Sequence, residues 1–445
     1  MMALGALGSA GPSIQWRADY EGTLELAKEE RRVVFVALLV DGEARCEAFN
    51  KDVYSDKAVA QLAERTLNVV ASSGRHKKKG PCKLFSGVEC IDHQRADTTA
   101  REKLVARNDL GVASVPQHLW LNPDGEVLLS VPFEMTSKEI QWCFAFAHWR
   151  LDPSSTFDLP DGARAPRRLV FGASHRQADG STPGRGLIES ELQDELNTLK
   201  GSFWNEGRIG TWLRVIFTDD ERAVRTIQTE LGTGALTWGG VERLNQALDV
   251  IGEWSPASFA PLLLDYVKHR DAQVRRHTAV ALEQMGAAET VSAIKKSLSK
   301  EKDRSAEKCW IRALGACGYD DKGVRKLLLK KAKSDKEAEL RINATLALGW
   351  AGGDDAVVEL LEAKLTEEDE KEVVAALCAA AISRHPLWIP KLEKFAKKAP
   401  EGRVRSTCES ALTVLRGASL TAIESEVRLV GGDDLPRGRI FFGTP

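Results

Sequence analysis

The chain has 445 residues, enough for two or three domains with separate cores, and its 43% hydrophobic and 28% charged residues are those of an ordinary globular protein. A formal net charge of −2 gives no bulk attraction to nucleic acid or an anionic membrane surface, and no apolar run approaches the roughly 20 residues a spanning helix requires. Eight cysteines are too sparse for a disulfide scaffold.

The start, "MMALGALGSAGPS", is small and apolar, with no Lys or Arg before Arg17. It reads either as an unstructured terminus or as the clipped end of an export signal, so cytoplasmic and exported locations both stay open. Residues 14–150 then alternate helical and strand patterns. "YEGTLELAKEERR" is an amphipathic helix, and residues 33–40 are a strand apolar on both faces, as parallel strands are. Cys46 to Arg65 reads as helix with a break near Tyr54–Asp56, and "TLNVVAS" as a second strand. A polar insertion, Ser73 to Arg95, precedes the helix "DTTAREKLVARND", which Asp97 is placed to cap. "PQHLWLNPDGEVLLSV" is a hairpin turned at Asn122-Pro123-Asp124-Gly125, and Thr136 with Glu139 forms a capping box for a closing helix.

This order of elements, with Cys46 opening a helix after the central strand, Val115-Pro116 before the hairpin and "NPDG" at its turn, resembles the thioredoxin family over residues 14–150. The stretch "RCEAFNKDVYSDKAVAQL" is similar to the branch in which Trp-Cys-x-x-Cys or Trp-Cys-x-x-Met is followed by an aromatic, Ser-Asp and Val. The resemblance makes Cys46 the candidate catalytic thiol and Pro116 the candidate cis-proline, a structural role. The active pattern is broken, however: Phe49 stands where dithiol members keep a second cysteine, and Arg45 stands in place of Trp. Without a resolving sulfur one turn away, disulfide exchange of that type has no second step. A helix N-terminus and Arg45 favour a Cys46 thiolate, Glu43 and Glu47 oppose it, and the balance makes Cys46 a remnant.

The insertion "SGRHKKKGPCKLFSGVECIDHQ" contains His76, Cys82, Cys90 and His93, the soft sulfur and imidazole ligands of zinc or Cu(I). Cys90 and His93 can share one helical turn, but seven residues separate Cys82 from Cys90 and no familiar zinc motif fits. Gathering such ligands in a loop carries an entropic cost, and Lys77, Lys78 and Lys79 set like charge near a cation. The expectation is therefore a local disulfide or two separate thiols, with His76 apart from both and no cofactor.

Residues 151–186 have the Pro, Gly, Ser and Arg content of a linker, and residues 187–254 read as capping helices. From 255 to 416 a unit recurs: "DAQVRRHTAVALEQMG", "DRSAEKCWIRALGACG" and "DKEAELRINATLALGW" begin at Asp271, Asp303 and Asp335. Their expected buried positions are Val274, Thr278, Ala281, Leu282 and Met285, then Ala306, Trp310, Ala313, Leu314 and Cys317, then Ala338, Ile342, Thr345, Leu346 and Gly349. Looser copies run through Val373 to Ala381 and Val404 to Leu415, and partner helices such as "PASFAPLLLDYVKHR" lie between. Asp-x-x-Val-Arg leading into Ala-Leu resembles short HEAT repeats, which implies a solenoid of helix pairs. Asp271 and Arg275 are assigned to caps and ladders between repeats. Trp350 and Trp388 are placed in the core, and residues 417–445 read as a loose tail.

The fold expected is thus an α/β thioredoxin-like domain followed by an all-α HEAT-repeat solenoid. No hydrolase triad, phosphate loop or metalloprotease motif occurs. The sequence points to a non-enzymatic interaction or scaffold protein that meets a protein partner through the HEAT surface, without nucleic acid. The alternative is a thiol-redox or metal-handling protein using Cys46 or the Cys82, Cys90 and His93 insertion.

Overall fold

The computed structural model describes residues 13–41, 44–73, 80–104, 116–171, 189–199, 215, 221–232, 240–254 and 257–432. Two compact units make up the chain: Met1–Ala106 with Ser114–Pro183, and Gly184–Pro445 with Arg107–Ala113.

In the first unit the elements run β1 (Trp16–Arg17), α1 (Tyr20–Glu30), β2 (Val34–Val40), α2 (Ala44–Asp52), α3 (Lys57–Ala63) and β3 (Leu67–Ser73). They continue with α4 (Cys90–Leu104), β4 (Gln117–Leu121), β5 (Val127–Pro132), α5 (Ser137–Leu151) and β6 (Val170–Phe171). The sheet order is β1-β3-β2-β4-β5-β6; β1, β3 and β2 are parallel, and β4, β5 and β6 each run antiparallel to the strand before. β2 is central, and Val34 to Leu39 are at most 1% exposed, which is why its residues are apolar on both faces. The break between α2 and α3 falls where expected, because the Asp56 carboxylate accepts from the backbone N–H groups of Ala58 and Val59 and restarts the helix. The capping box of Thr136 and Glu139 is formed at α5.

Two readings need correction here. Asp97 is no N-cap: α4 opens at Cys90, inside the stretch read as a polar loop, and Asp97 lies mid-helix accepting from Arg101 Nε at 2.6 Å. Nor is the linker read over 151–186 found in its described part, residues 151–171; residues 172–186 lie outside the described residues. Leu169 and Ala163 join the core, Phe157 stacks on Trp149 at 5.4 Å, and β6 adds an edge strand to β5. The few apolar residues in a turn-rich segment suffice once Lys138 Nζ donates to the Asp161 carbonyl and Arg164 lies 3.5 Å from Glu139.

The second unit contains α6 (Glu189–Leu199), α7 (Glu221–Gly232), α8 (Gly240–Trp254), α9 (Ala260–Leu263), α10 (Ala272–Met285), α11 (Val291–Leu298) and α12 (Arg304–Cys317). Then follow α13 (Lys322–Ser334), α14 (Ala338–Leu348), α15 (Asp355–Lys364), α16 (Glu370–Ser383), α17 (Trp388–Ala396), α18 (Arg403–Leu415) and α19 (Thr421–Gly431). Helices α8, α10, α12, α14, α16 and α18 pack side by side in one layer, and α9, α11, α13, α15 and α17 each pack on the layer helix that follows. This is a helical-repeat array, and its unit is the pair.

The charged positions of the repeat are structural. Asp271, Asp303 and Asp369 accept from backbone N–H groups at the starts of α10, α12 and α16. Arg275, Arg325, Arg341 and Arg405 each donate to a carbonyl six residues earlier, at His269, Tyr319, Asp335 and Ala399, which fixes the turn leading into the helix. Ion pairs such as Glu283–Arg312 (2.8 Å) and Lys308–Glu339 (3.1 Å) join successive units. Trp388 is fully buried and Trp350 half-buried. One expected core position fails: Ala338 is exposed, because α13 continues to Ser334 and α14 opens only at Ala338, so Leu340 takes the buried place.

Glu301 supplies a pH-dependent part of this frame. Burial alone would raise its pKa, but paired hydrogen bonds from Arg275 and the N–H groups of Lys302 and Asp303 hold it down from 4.5 to about 2. A depressed carboxyl stabilises the fold above its unfolded pKa and ceases to as pH falls through the folded one. Array stability should therefore fall between about pH 4.5 and 2. Glu301→Gln should flatten that part of a urea-denaturation pH profile, and an unchanged slope would refute the assignment.

The tail reading also changes. α19 folds back across α14, α16 and α18, with Ile423, Val427 and Val430 buried. Its C-terminal carbonyls at Gly431 and Gly432 accept from Asn343 Nδ2 (2.9 Å) and Lys308 Nζ (2.8 Å), a cation placed where a helix end is negative. Residues 433–445 lie outside the described residues.

Candidate functional site

The carboxyl ends of parallel strands are where open α/β sheets place their chemistry. In this chain the ends of β2 and β3 meet α2 and α4 there. Cys46, in the first turn of α2, is 4% exposed and its sulfur accepts from Val40 N at 3.5 Å. Phe49 fills the position of a second thiol with an aromatic ring, 4.5 Å from His118 and 5.0 Å from Tyr54. Tyr54 Oη and His118 Nε2 share a hydrogen bond of 2.7 Å. Burial lowers the His118 pKa to about 3, so the ring is neutral at physiological pH, and burial with the nearby Cys46 pushes the Tyr54 phenol up. The surroundings of Cys46 are thus aromatic and closed. Pro116 is buried immediately before β4, and Val115, with the peptide bond on which the cis reading rests, lies outside the described residues.

The insertion is built differently from expectation. Pro81 pairs with Glu89 across an antiparallel bridge, and Cys82 N donates to the Val88 carbonyl at 2.8 Å. The seven intervening residues therefore form a closed loop, turned at Gly87 with φ of +84°. Phe85, 1% exposed, anchors the loop edge-on against Trp16 and His93. α4 starts at Cys90 and turns Cys90 and His93 to one face.

As a result the ligand atoms of Cys82, Cys90 and His93 lie within 4.8 Å of one another, and all three side chains are buried. Of the two expected arrangements the disulfide is not formed, since Cys82 and Cys90 are both thiols, but the thiols lie close to each other and to His93 rather than apart. The entropic objection loses force because the bridge and Phe85 order the loop before any ligand arrives. His76 and Lys77 to Lys79 lie outside the described residues.

Residues that the sequence did not single out complete the site. His93 Nδ1 is 3.1 Å from the Ser72 carbonyl, which can only accept, so this nitrogen carries the proton. The other nitrogen, Nε2, lies 3.8 Å from Asp41 Oδ2, while Ser72 Oγ donates to Asp41 Oδ1 at 2.7 Å. Asp97 and Arg101 form a buried pair behind them, and Arg101 Nη2 donates to the Leu39 carbonyl at 2.8 Å. Burial raises the Asp97 pKa against the pull of Arg101, and burial also raises the Cys82 thiol, helped by the adjacent Cys90. The signal that could have found Asp41 is its place as the first polar residue after an all-apolar parallel strand.

No family model and no curated protein matches this chain. Among solved structures, it is similar to the CpcE and CpcF complex of phycocyanin lyase from Nostoc sp. PCC7120, at 15% identity and a TM-score of 0.34, over 53% of this chain and 98% of that one. It is also similar to human deoxyhypusine hydroxylase in complex with glycerol, at 17% identity and a TM-score of 0.27, over 55% of this chain and 94% of that one. At such scores neither likeness bears on what this chain binds. Among the described residues no helix is long and apolar enough to cross a membrane.

Proposed function

We propose that this chain is a non-enzymatic interaction protein, in which a redox-degenerate thioredoxin-like domain is joined to a HEAT-like solenoid that holds a helical segment of a protein partner. The observation that carries the reading is α19: one face of the array already seats an amphipathic helix through buried Ile423, Val427 and Val430, with Glu426 bonded to Arg403 at 2.7 Å. A partner's amphipathic helix would take this seat, with its grooves and end-capping groups, by displacing α19. A chain truncated after Arg416 should bind a labelled synthetic peptide of residues 417–432. The full-length chain should not, and Val427→Asp in the peptide should abolish binding. A folded truncated chain that ignores the peptide would end the proposal.

Support for the degenerate half of the reading comes from Phe49 and the closed setting of Cys46. The full-length protein should reduce insulin disulfides with dithiothreitol no faster than its Cys46→Ser variant. A clear Cys46-dependent rate would make the protein an oxidoreductase instead.

A further inference from the structure

The convergence at the carboxyl ends of β2 and β3 supports an inference independent of the interaction role. We propose that Cys82, Cys90, His93 and Asp41 form a buried zinc site that locks the 80–90 loop onto the sheet. Two sulfurs, one imidazole and one carboxylate are a tetrahedral zinc donor set, and the carboxylate selects Zn²⁺ over the softer Cu⁺.

The geometry gathers three of the four donors and sets the fourth beside the imidazole. With Zn–S near 2.3 Å and Zn–N or Zn–O near 2.0–2.1 Å, tetrahedral ligand atoms lie roughly 3.3–3.8 Å apart. The three atoms found within 4.8 Å of one another must draw in by roughly 1–1.5 Å, and Asp41, set beside this cluster by the 3.8 Å from its Oδ2 to His93 Nε2, must turn toward the two sulfurs. The outer groups are already placed. Ser72 holds His93 through its carbonyl, which fixes the tautomer that presents Nε2 as a ligand, and holds Asp41 through its hydroxyl. Such partners orient metal ligands and make the imidazole more basic. The ligands also come from rigid pieces: the end of β2, the first turn of α4, and a loop closed by a backbone bridge.

Binding balances in charge and protons. Zn²⁺ bonds to both sulfurs, and the two S–H protons leave to solvent; neutral His93 gives its lone pair and Asp41 its existing charge. Uptake of one ion therefore releases two protons.

The test uses the full-length protein, reduced and stripped with a chelator. Added Zn²⁺ should bind at one equivalent in competition with a chromogenic chelator, with two protons released per ion. Cobalt in its place should show thiolate charge-transfer bands and the visible bands of a tetrahedral ion. Cys82→Ser, Cys90→Ser and His93→Gln should each weaken binding by more than about 100-fold, beyond what loss of an outer partner costs. Asp41→Asn should weaken it by at least about 10-fold, and Cys46→Ser should leave it unchanged. The Co²⁺ spectrum of Cys82→Ser, on the loop rather than in α4, keeps the test decisive if Cys90→Ser misfolds. The proposal is overturned by absence of stoichiometric uptake, by uptake insensitive to Cys82→Ser, by preferential loading with Cu⁺, or by a Cys82–Cys90 disulfide forming with zinc in excess.

Discussion

Glu372→Ala should cost the helical array about 3–5 kcal/mol, the range for removing one partner of a buried ion pair. Glu372 is 1% exposed at the start of α16. It receives Lys364 Nζ from α15 at 2.7 Å and Arg341 Nε from α14 at 3.0 Å, so one carboxylate joins three consecutive helices. Truncation leaves the Lys364 ammonium, 3% exposed, without that charge beside it. Replacing both Lys364 and Glu372 by leucine should recover much of the loss, because the desolvation penalty disappears with both charges. Hydrogen exchange of the α14–α16 amides in the full-length chain reads the effect locally. A change within about 0.5 kcal/mol, as at an ordinary surface site, would refute the account.

Gly315→Ala offers a test of sign. On helix propensity alone, alanine at a mid-helix glycine stabilises by up to about 1 kcal/mol. In α12, however, a Cβ at Gly315 would collide with the Ala347 carbonyl oxygen and lie 2.6 Å from the Ala347 Cβ, on the neighbouring α14. Backbone cannot step aside as a flexible side chain can, so the helices must separate. The expected result is destabilisation by about 1–3 kcal/mol for alanine and more for valine. Ala347→Gly should relieve only part of it, since the carbonyl remains. Thermal or urea unfolding of the two variants decides the sign, and a more stable Gly315→Ala chain would show that the layer is looser than its geometry.

The same array shows what was legible in the sequence. Its helix pairs follow from a recurring Asp cap and an apolar stripe at helical spacing, both local and periodic signals. Several elements of the first unit were legible for the same reason: an apolar run marks β2, "NPDG" the hairpin, and Thr136 with Glu139 the start of α5. Each depends on neighbours within a few residues.

The misread parts depend on residues far apart in the chain. Residues 151–171 look like a linker because few are apolar, yet Phe157 and Leu169 find a ready-made core against α5 and β5. Residues 421–431 look like a tail because their partners, Asn343 and Lys308, lie 88 and 124 residues away from Gly431 and Gly432. Cys82 and Cys90 look badly spaced for one ligand because spacing says nothing about the bridge that folds the intervening loop back on itself. Asp41 carried no motif at all, and only the parallel pairing of β2 with β3 sets it beside Ser72 and His93. Hydrophobic period and caps are short-range physics and determine elements by themselves. Which side chains then share a buried point is decided by the packing of those elements, and that information exists only in the tertiary structure.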